Sequence, residues 1–211
     1  MIVTRAAESA GELARRLEAL GHEVVLCPLI RVEPLGDRPI DVQGYDWVVV
    51  TSPNGARELL RRMRGRPVRI AAIGATTARE LGGADLLPLV STQEGLLDAL
   101  PRPVGRVLFA GAEGARPLLA ETLGADVVAL YRTVELRPDE PPEGDLAVLA
   151  SGSAARAFGA LRTGVPAVSI GPQTTTAARA AGVEVVAEAR THDVDGLVAA
   201  VRRIAACSSP S

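Results

Sequence analysis

Apolar runs of strand length alternate along the whole chain with segments whose apolar residues recur every three or four positions. EVVLC (23–27), DWVVVT (46–51), RVLFA (106–110) and LAVLA (146–150) are apolar at nearly every position, as strands covered on both faces of a parallel sheet require. In ESAGELARRLEALG (8–21), by contrast, Leu13, Leu17 and Leu20 share one helical face and Gly21 supplies the stop. The pattern predicts strands near 1–4, 23–27, 46–51, 68–73, 85–88, 106–110, 126–131, 146–150, 166–170 and 183–187 with helices between them, an α/β chain with parallel sheets.

The pattern also repeats, with a period of about 100 residues. GHEVVLCPLIRVEP (21–34) has a counterpart in GADVVALYRTVELRP (124–138), and IAAIGATTAREL (70–81) in AVSIGPQTTTAARAAG (167–182). STQEGLLDAL (91–100) matches THDVDGLVAAV (191–201), and TSPNGAREL (51–59) matches ASGSAARAF (150–158). The chain therefore reads as A (1–33), B (45–100), A′ (105–135) and B′ (145–205). A cut at PRPVG (101–105) would give two tandem domains. The longer proline-rich breaks, PLGDRP (34–39) and PDEPPEG (138–144), point instead to a chain that leaves one lobe after A, builds B and A′ as a second, and returns for B′.

Composition removes several chemistries. All 23 basic residues are arginine, so lysine Schiff bases and lysine nucleophiles are excluded. The net charge of −2, the absence of a basic run and the scarcity of aromatics argue against a nucleic-acid partner. Cys27, Cys207, His22 and His192 are too thin a set for a metal site. MIVTRAAE lacks the long apolar region of a signal peptide and no run approaches membrane-spanning length, so a soluble, cytoplasmic protein with no membrane partner is expected.

Six segments occur in a recognisable order: VTR (3–5), YDWVVVTSPNGAR (45–57), IAAIGATTARELG (70–82), ALYRT (129–133), IGPQTTTAARAAG (170–182) and THDVDGLVAAV (191–201). In this order and spacing the chain resembles the uroporphyrinogen-III synthase family from Ile2 to about Ile204. The resemblance implies two flavodoxin-like lobes joined by a two-stranded linker, the first lobe discontinuous, with a cleft between them. Its expected boundaries are 1–34 plus 142–205 for lobe 1, 40–135 for lobe 2, linkers at 34–40 and 135–142, and a disordered tail at 206–211. It further implies a reaction, with no cofactor, that closes the linear tetrapyrrole hydroxymethylbilane to uroporphyrinogen III, inverting ring D and losing water; a monomer is expected. A two-lobed tetrapyrrole- or anion-binding protein without catalysis is the alternative that shares the fold.

A substrate with eight carboxylates asks for hydroxyls and helix N-termini as anion donors. Ser52 and Ser151 stand at the two repeated strand-to-helix turns, where helix capping alone would also place a serine. Thr77 and Thr174 each follow an Ile-Gly turn, and Arg5 follows the first strand, at the edge where open α/β sheets bind ligands. Substrate contacts are expected of these five residues; the resemblance points to Thr174 more than Thr77 and singles out Tyr131 as the acid. Arg57 and Arg156 are expected to face solvent, and His22 and His192 to be structural.

Overall fold

The computed structural model describes residues 1–208. In chain order the first half forms β1 (Ile2–Val3), α1 (Ala7–Glu18), β2 (Val25–Leu26), β3 (Ile30–Pro34), β4 (Ile40–Asp41), β5 (Trp47–Val50), α2 (Pro53–Arg62), β6 (Met63–Arg64), β7 (Arg69–Ala72), α3 (Ala75–Glu80) and α4 (Gln93–Ala99). The second half forms β8 (Val107–Ala112), α5 (Leu118–Leu123), β9 (Asp126–Glu135), β10 (Ala147–Leu149), α6 (Gly152–Ala160), β11 (Ala167–Ser169), α7 (Pro172–Ala180), β12 (Val185–Glu188) and α8 (Val194–Ser208). The chain divides into two compact units: Met1–Arg31 with the segment from Val134 onward, and Val32–Thr133. Residues 206–208, expected in a disordered tail, belong to α8, and 209–211 lie outside the described residues.

Unit 1 is a five-stranded parallel sheet in the order β12-β11-β10-β1-β2, the flavodoxin-like order once strands are counted along the chain. Strand alternation sends Val3, Val148 and Val168 against Leu13 and Leu17 of α1 and Leu197 of α8. Ile2, Ala147, Leu149 and Ala167 face the other way, onto Phe158 of α6 and Ala178 of α7. Both faces are buried, which is why these strands read as continuous apolar runs.

Unit 2 has the order β3-β9-β8-β5-β7, parallel from β9 to β7. Val48, Val50, Leu108 and Ala110 pack with Ala56 and Leu59 of α2, while Trp47, Val49, Val107 and Phe109 pack with Leu96 of α4 and Leu119 of α5. Under the repeat, β5 and β7 correspond to β10 and β11, and β8 and β9 to β1 and β2. Each sheet then shows one neighbour order, built from chain segments in opposite succession. The expected strand at 85–88 shrinks to a single parallel bridge, Ala71–Leu86, because Pro88 has no N–H for a ladder and Leu87 and Leu89 are exposed.

The chain passes between the units twice, in β3 and β9, which are sheet neighbours. Leu35 N–H donates to Leu130 O and Leu136 N–H to Leu29 O, each at 2.9 Å. β3, β4 and β6 fall outside the strands expected from the pattern: RVEP carries two charges and a proline, and the other two are two-residue strands.

The repeat exposes one unoptimised position. α2 starts Ser52-Pro53 and α6 starts Ser151-Gly152, with N-cap angles of φ −159°, ψ 152° and φ −162°, ψ 157°. A proline at the first helical position suits that geometry, and a Cβ at Gly152 would meet Ala177 Cβ at an ordinary 3.4 Å. Gly152→Pro should stabilise unit 1 by about 0.4–1 kcal/mol through the unfolded chain. A higher urea midpoint at unchanged slope is the expected result, and a lower midpoint would contradict the equivalence of the two turns.

Candidate active site

Each repeated turn is built by the same local chemistry. A buried parallel strand ends, one serine stays extended, and the first turn of the next helix offers N–H groups with no intrahelical acceptor. Ser52 Oγ accepts the Gly55 N–H at 3.0 Å and Ser151 Oγ accepts the Ala154 N–H at 3.2 Å. Both serines are therefore N-caps, and both are half-buried.

Among the described residues, the serine of the unit 2 turn has a further side-chain partner and that of the unit 1 turn has none. Ser52 Oγ lies 2.8 Å from the Tyr131 hydroxyl. Tyr131 sits within β9, which runs to Glu135 rather than stopping at the expected position 131. The β8–β9 register shifts there: Gly111 pairs with Ala129 and Ala112 with Tyr131, which leaves Leu130 as an extra residue. This bulge explains why the consecutive Leu130 and Tyr131 side chains enter the same core cluster instead of opposite faces. In the strand order β9-β8-β5, the phenol reaches the serine after β5 across the end of β8, where the residues are Ala110, Gly111 and Ala112. Burial to 7% exposure pushes the Tyr131 phenol above its ordinary pKa, and the bond to Ser52 pulls the other way.

The second tyrosine is occupied elsewhere. Tyr45 precedes β5, donates to Asp126 Oδ2 at 2.7 Å, and has the Arg106 guanidinium 4.3 Å over its ring. Its hydrogen bond to Asp126 raises its pKa, and the clamp ties together the starts of β5, β8 and β9. Tyr131 is thus the phenol at the C-terminal ends of the strands.

In unit 1, Arg5 and Ser151 follow β1 and β10, the strands that flank the reversal in strand order where open α/β sheets place ligands. The Arg5 guanidinium is half-buried and makes no hydrogen bond or ion pair among the described residues. Burial pushes its pKa down, countered by the Glu12 carboxylate. The pairs Ile2–Ala147 and Val48–Leu108 equate Arg5 with Gly111, so the guanidinium of one unit has no side chain opposite it in the repeat. Thr174, in the first turn of α7, is 4% exposed, and its hydroxyl has no hydrogen-bond partner among the described residues. Gly171 caps α7 without a side-chain acceptor, which leaves first-turn N–H groups open. Thr77 in α3 is likewise buried with an unpartnered hydroxyl.

Thus Ser52 and Tyr131 are in direct contact, Thr77 lies in the same unit, and Arg5, Ser151 and Thr174 lie in the other. Arg57 pairs with Glu80 and Arg156 with Ser153, both exposed. The His192 ring lies against Gly171, where a Cβ would meet Nε2 at 2.9 Å. Unanticipated from sequence was a network in which the buried Thr175 joins the buried Ser169 (2.5 Å) to the carboxylate of the exposed Glu188. Its only sequence signal is that Ser169 and Thr175 replace Ala72 and Ala78 of the repeat.

The model of the uroporphyrinogen-III synthase HemD family matches residues 11–199. The chain belongs to the uroporphyrinogen-III synthase family. A uroporphyrinogen-III synthase of Synechococcus elongatus is 28% identical over 248 residues, covering 96% of this chain and 94% of the relative. Solved uroporphyrinogen III synthases share the fold: that of Thermus thermophilus, in a mutant form, superposes with a TM-score of 0.67 at 19% identity over 98% of this chain and 99% of that one. That of Helicobacter pylori superposes with a TM-score of 0.61 at 16% identity, covering 96% and 98% of the two chains. A member of this family acts on a small molecule, and among the described residues no helix is long and apolar enough to cross a membrane.

For this uroporphyrinogen-III synthase family member, neighbouring threonines give opposite expectations. The Thr174 hydroxyl bonds no described group, and it is not sealed from solvent as the unpartnered Trp47 Nε1 is, so Thr174→Val should leave the unfolding midpoint nearly unchanged. Thr175→Val removes a partner from two other polar groups and should destabilise by about 1–3 kcal/mol. Urea unfolding of both variants checks this; equal losses would show that the Thr174 hydroxyl has a structural role.

Proposed function

We propose that this chain closes hydroxymethylbilane to uroporphyrinogen III, with Tyr131 as the acid of the first step and Arg5, Ser52, Thr77, Ser151 and Thr174 as donors to the substrate. The observation that carries the reading is a buried phenol, 2.8 Å from an N-cap serine at the C-terminal end of a parallel sheet, in a chain of this family. Closure begins with loss of the oxygen on the bilane's hydroxymethyl carbon. Electron density from the pyrrole nitrogen drives it, but hydroxide is a poor leaving group unless it is protonated. Free carboxylic acids are ionised at neutral pH, whereas a phenol keeps its proton. Tyr131, raised further by burial, holds a proton at pH 7.

The carboxylates of the bilane suit the remaining donors. Unit 1 presents the Arg5 guanidinium, the open first-turn N–H groups of α7 and the Thr174 hydroxyl, all of which favour anions. Unit 2 presents Thr77 alongside Ser52 and Tyr131. Ring D then attacks through its substituted carbon, and the spiro intermediate fragments and recloses; the folding of the bound substrate sets the isomer. The internal repeat supplies two anion-binding turns within one chain, which supports action as a monomer. A role in tetrapyrrole biosynthesis supports a cytoplasmic location.

Turnover of hydroxymethylbilane with isomer analysis of the product tests the reading. Enzyme-dependent uroporphyrinogen III is expected, and tight binding without accelerated closure would overturn it in favour of a binding protein. Tyr131→Phe should slow turnover by roughly 10- to 1000-fold while the enzymatic product remains isomer III. A wild-type rate in that variant, or isomer I made on the enzyme, would contradict the acid role.

A further inference from the structure

We propose that Ser52 is the positioning residue of Tyr131, receiving the phenol's hydrogen bond at rest and donating its own proton to the phenolate formed in the first step, whereas Ser151 acts on substrate alone. The proposal rests on the assignment of Tyr131 as the acid and goes beyond it in dividing two serines that the repeat makes equivalent.

A serine hydroxyl has one proton and two acceptor sites. The Gly55 N–H takes one acceptor site at 3.0 Å, and the Tyr131 oxygen lies at 2.8 Å. While the phenol is protonated and unengaged, it donates to the second site. When it turns to donate to the leaving oxygen, the seryl proton rotates onto the phenolic oxygen. The C–O bond then breaks with its electron pair on oxygen. That oxygen takes the phenol proton and leaves as water, and the pyrrole nitrogen lone pair fills the deficit at carbon. The phenolate left behind faces a donor whose oxygen is already polarised by an N–H from the positive end of α2. The phenol is restored when the closing ring loses a proton and regains aromaticity, so the cycle nets one water per turn.

Three features confine this arrangement to unit 2. Ser151 Oγ has the Ala154 N–H as its hydrogen-bond partner and no phenol. The segment after β2, equivalent to that around Tyr131, reads Cys27-Pro28-Leu29. The side-chain-free Gly111 stands at the end of β8 that the Ser52–Tyr131 bond spans, where unit 1 carries Arg5. Direction fits as well: burial alone raises the phenol's pKa, and the Ser52 bond is the group opposing it.

The full-length chain labelled with 13Cζ-tyrosine tests this directly, because its two tyrosines give two resonances that Tyr45→Phe assigns. Ser52→Ala should shift the Tyr131 titration upward, leave Tyr45 in place, and lower kcat about 10-fold or more, in addition to any rise in KM from the lost substrate donor. Ser52→Thr keeps both cap and hydroxyl and should restore most of the rate, which separates the role from loss of the helix cap. Ser151→Ala should raise KM, spare kcat and leave the Tyr131 resonance unmoved. An unmoved Tyr131 titration in Ser52→Ala, or a raised KM with kcat spared as in Ser151→Ala, overturns the proposal while a slow Tyr131→Phe keeps the acid assignment. A wild-type rate in Tyr131→Phe overturns both.

Discussion

The Gly55 N–H bond to the Ser52 hydroxyl fixes the oxygen that meets the Tyr131 phenol, the contact on which the proposed chemistry depends. A parallel sheet delivers each strand to the N-terminus of a helix, and those N-termini carry donors that need acceptors. Satisfying them with a serine satisfies the fold, and it also leaves that serine with a proton and a lone pair at the sheet edge. In unit 2 that surplus capacity meets the phenol of Tyr131. A cap chosen for stability alone would be indifferent between Ser and Asp; only a hydroxyl can both accept from a phenol and donate to a phenolate.

The repeat gives each unit the same scaffold and the side chains then diverge. Arg5 stands where Gly111 lies, and Ser169 and Thr175 form a polar network where Ala72 and Ala78 are apolar. Unit 1 therefore carries a half-buried cation and open helix donors suited to holding anions. Unit 2 gives up the cation and gains a phenol at the corresponding strand end. In the proposed mechanism, proton chemistry and charge recognition are separated between the two copies of one strand-to-helix turn.

Much of this was legible in the sequence because it rests on period. Val48–Val50 and Ala147–Leu149 read as buried strands since both faces are covered, and Ser52 and Ser151 stand out through the repeat. Arg5 and Thr77 stood out by their places at strand-to-helix turns, Thr174 and Tyr131 by resemblance as well, and the structure supplies their surroundings. What escaped was non-periodic. The bulge at Leu130 turns Tyr131 onto the face of its predecessor, against strand alternation. Pro88 ends a run that looked like a strand, and β3 carries charges because it is a crossing strand rather than a core one. The Ser52–Tyr131 bond joins residues far apart in sequence, and no local pattern announces such a contact.

The central claim is that Ser52 acts through Tyr131 and Ser151 does not. A pair of double-mutant cycles on kcat measures it most directly, combining Tyr131→Phe first with Ser52→Ala and then with Ser151→Ala. The account predicts that Ser52→Ala adds little once the phenol is gone, a coupling of about 1.4 kcal/mol or more for a tenfold loss, while Ser151→Ala shows no coupling. Multiplicative effects of Ser52→Ala and Tyr131→Phe would contradict it.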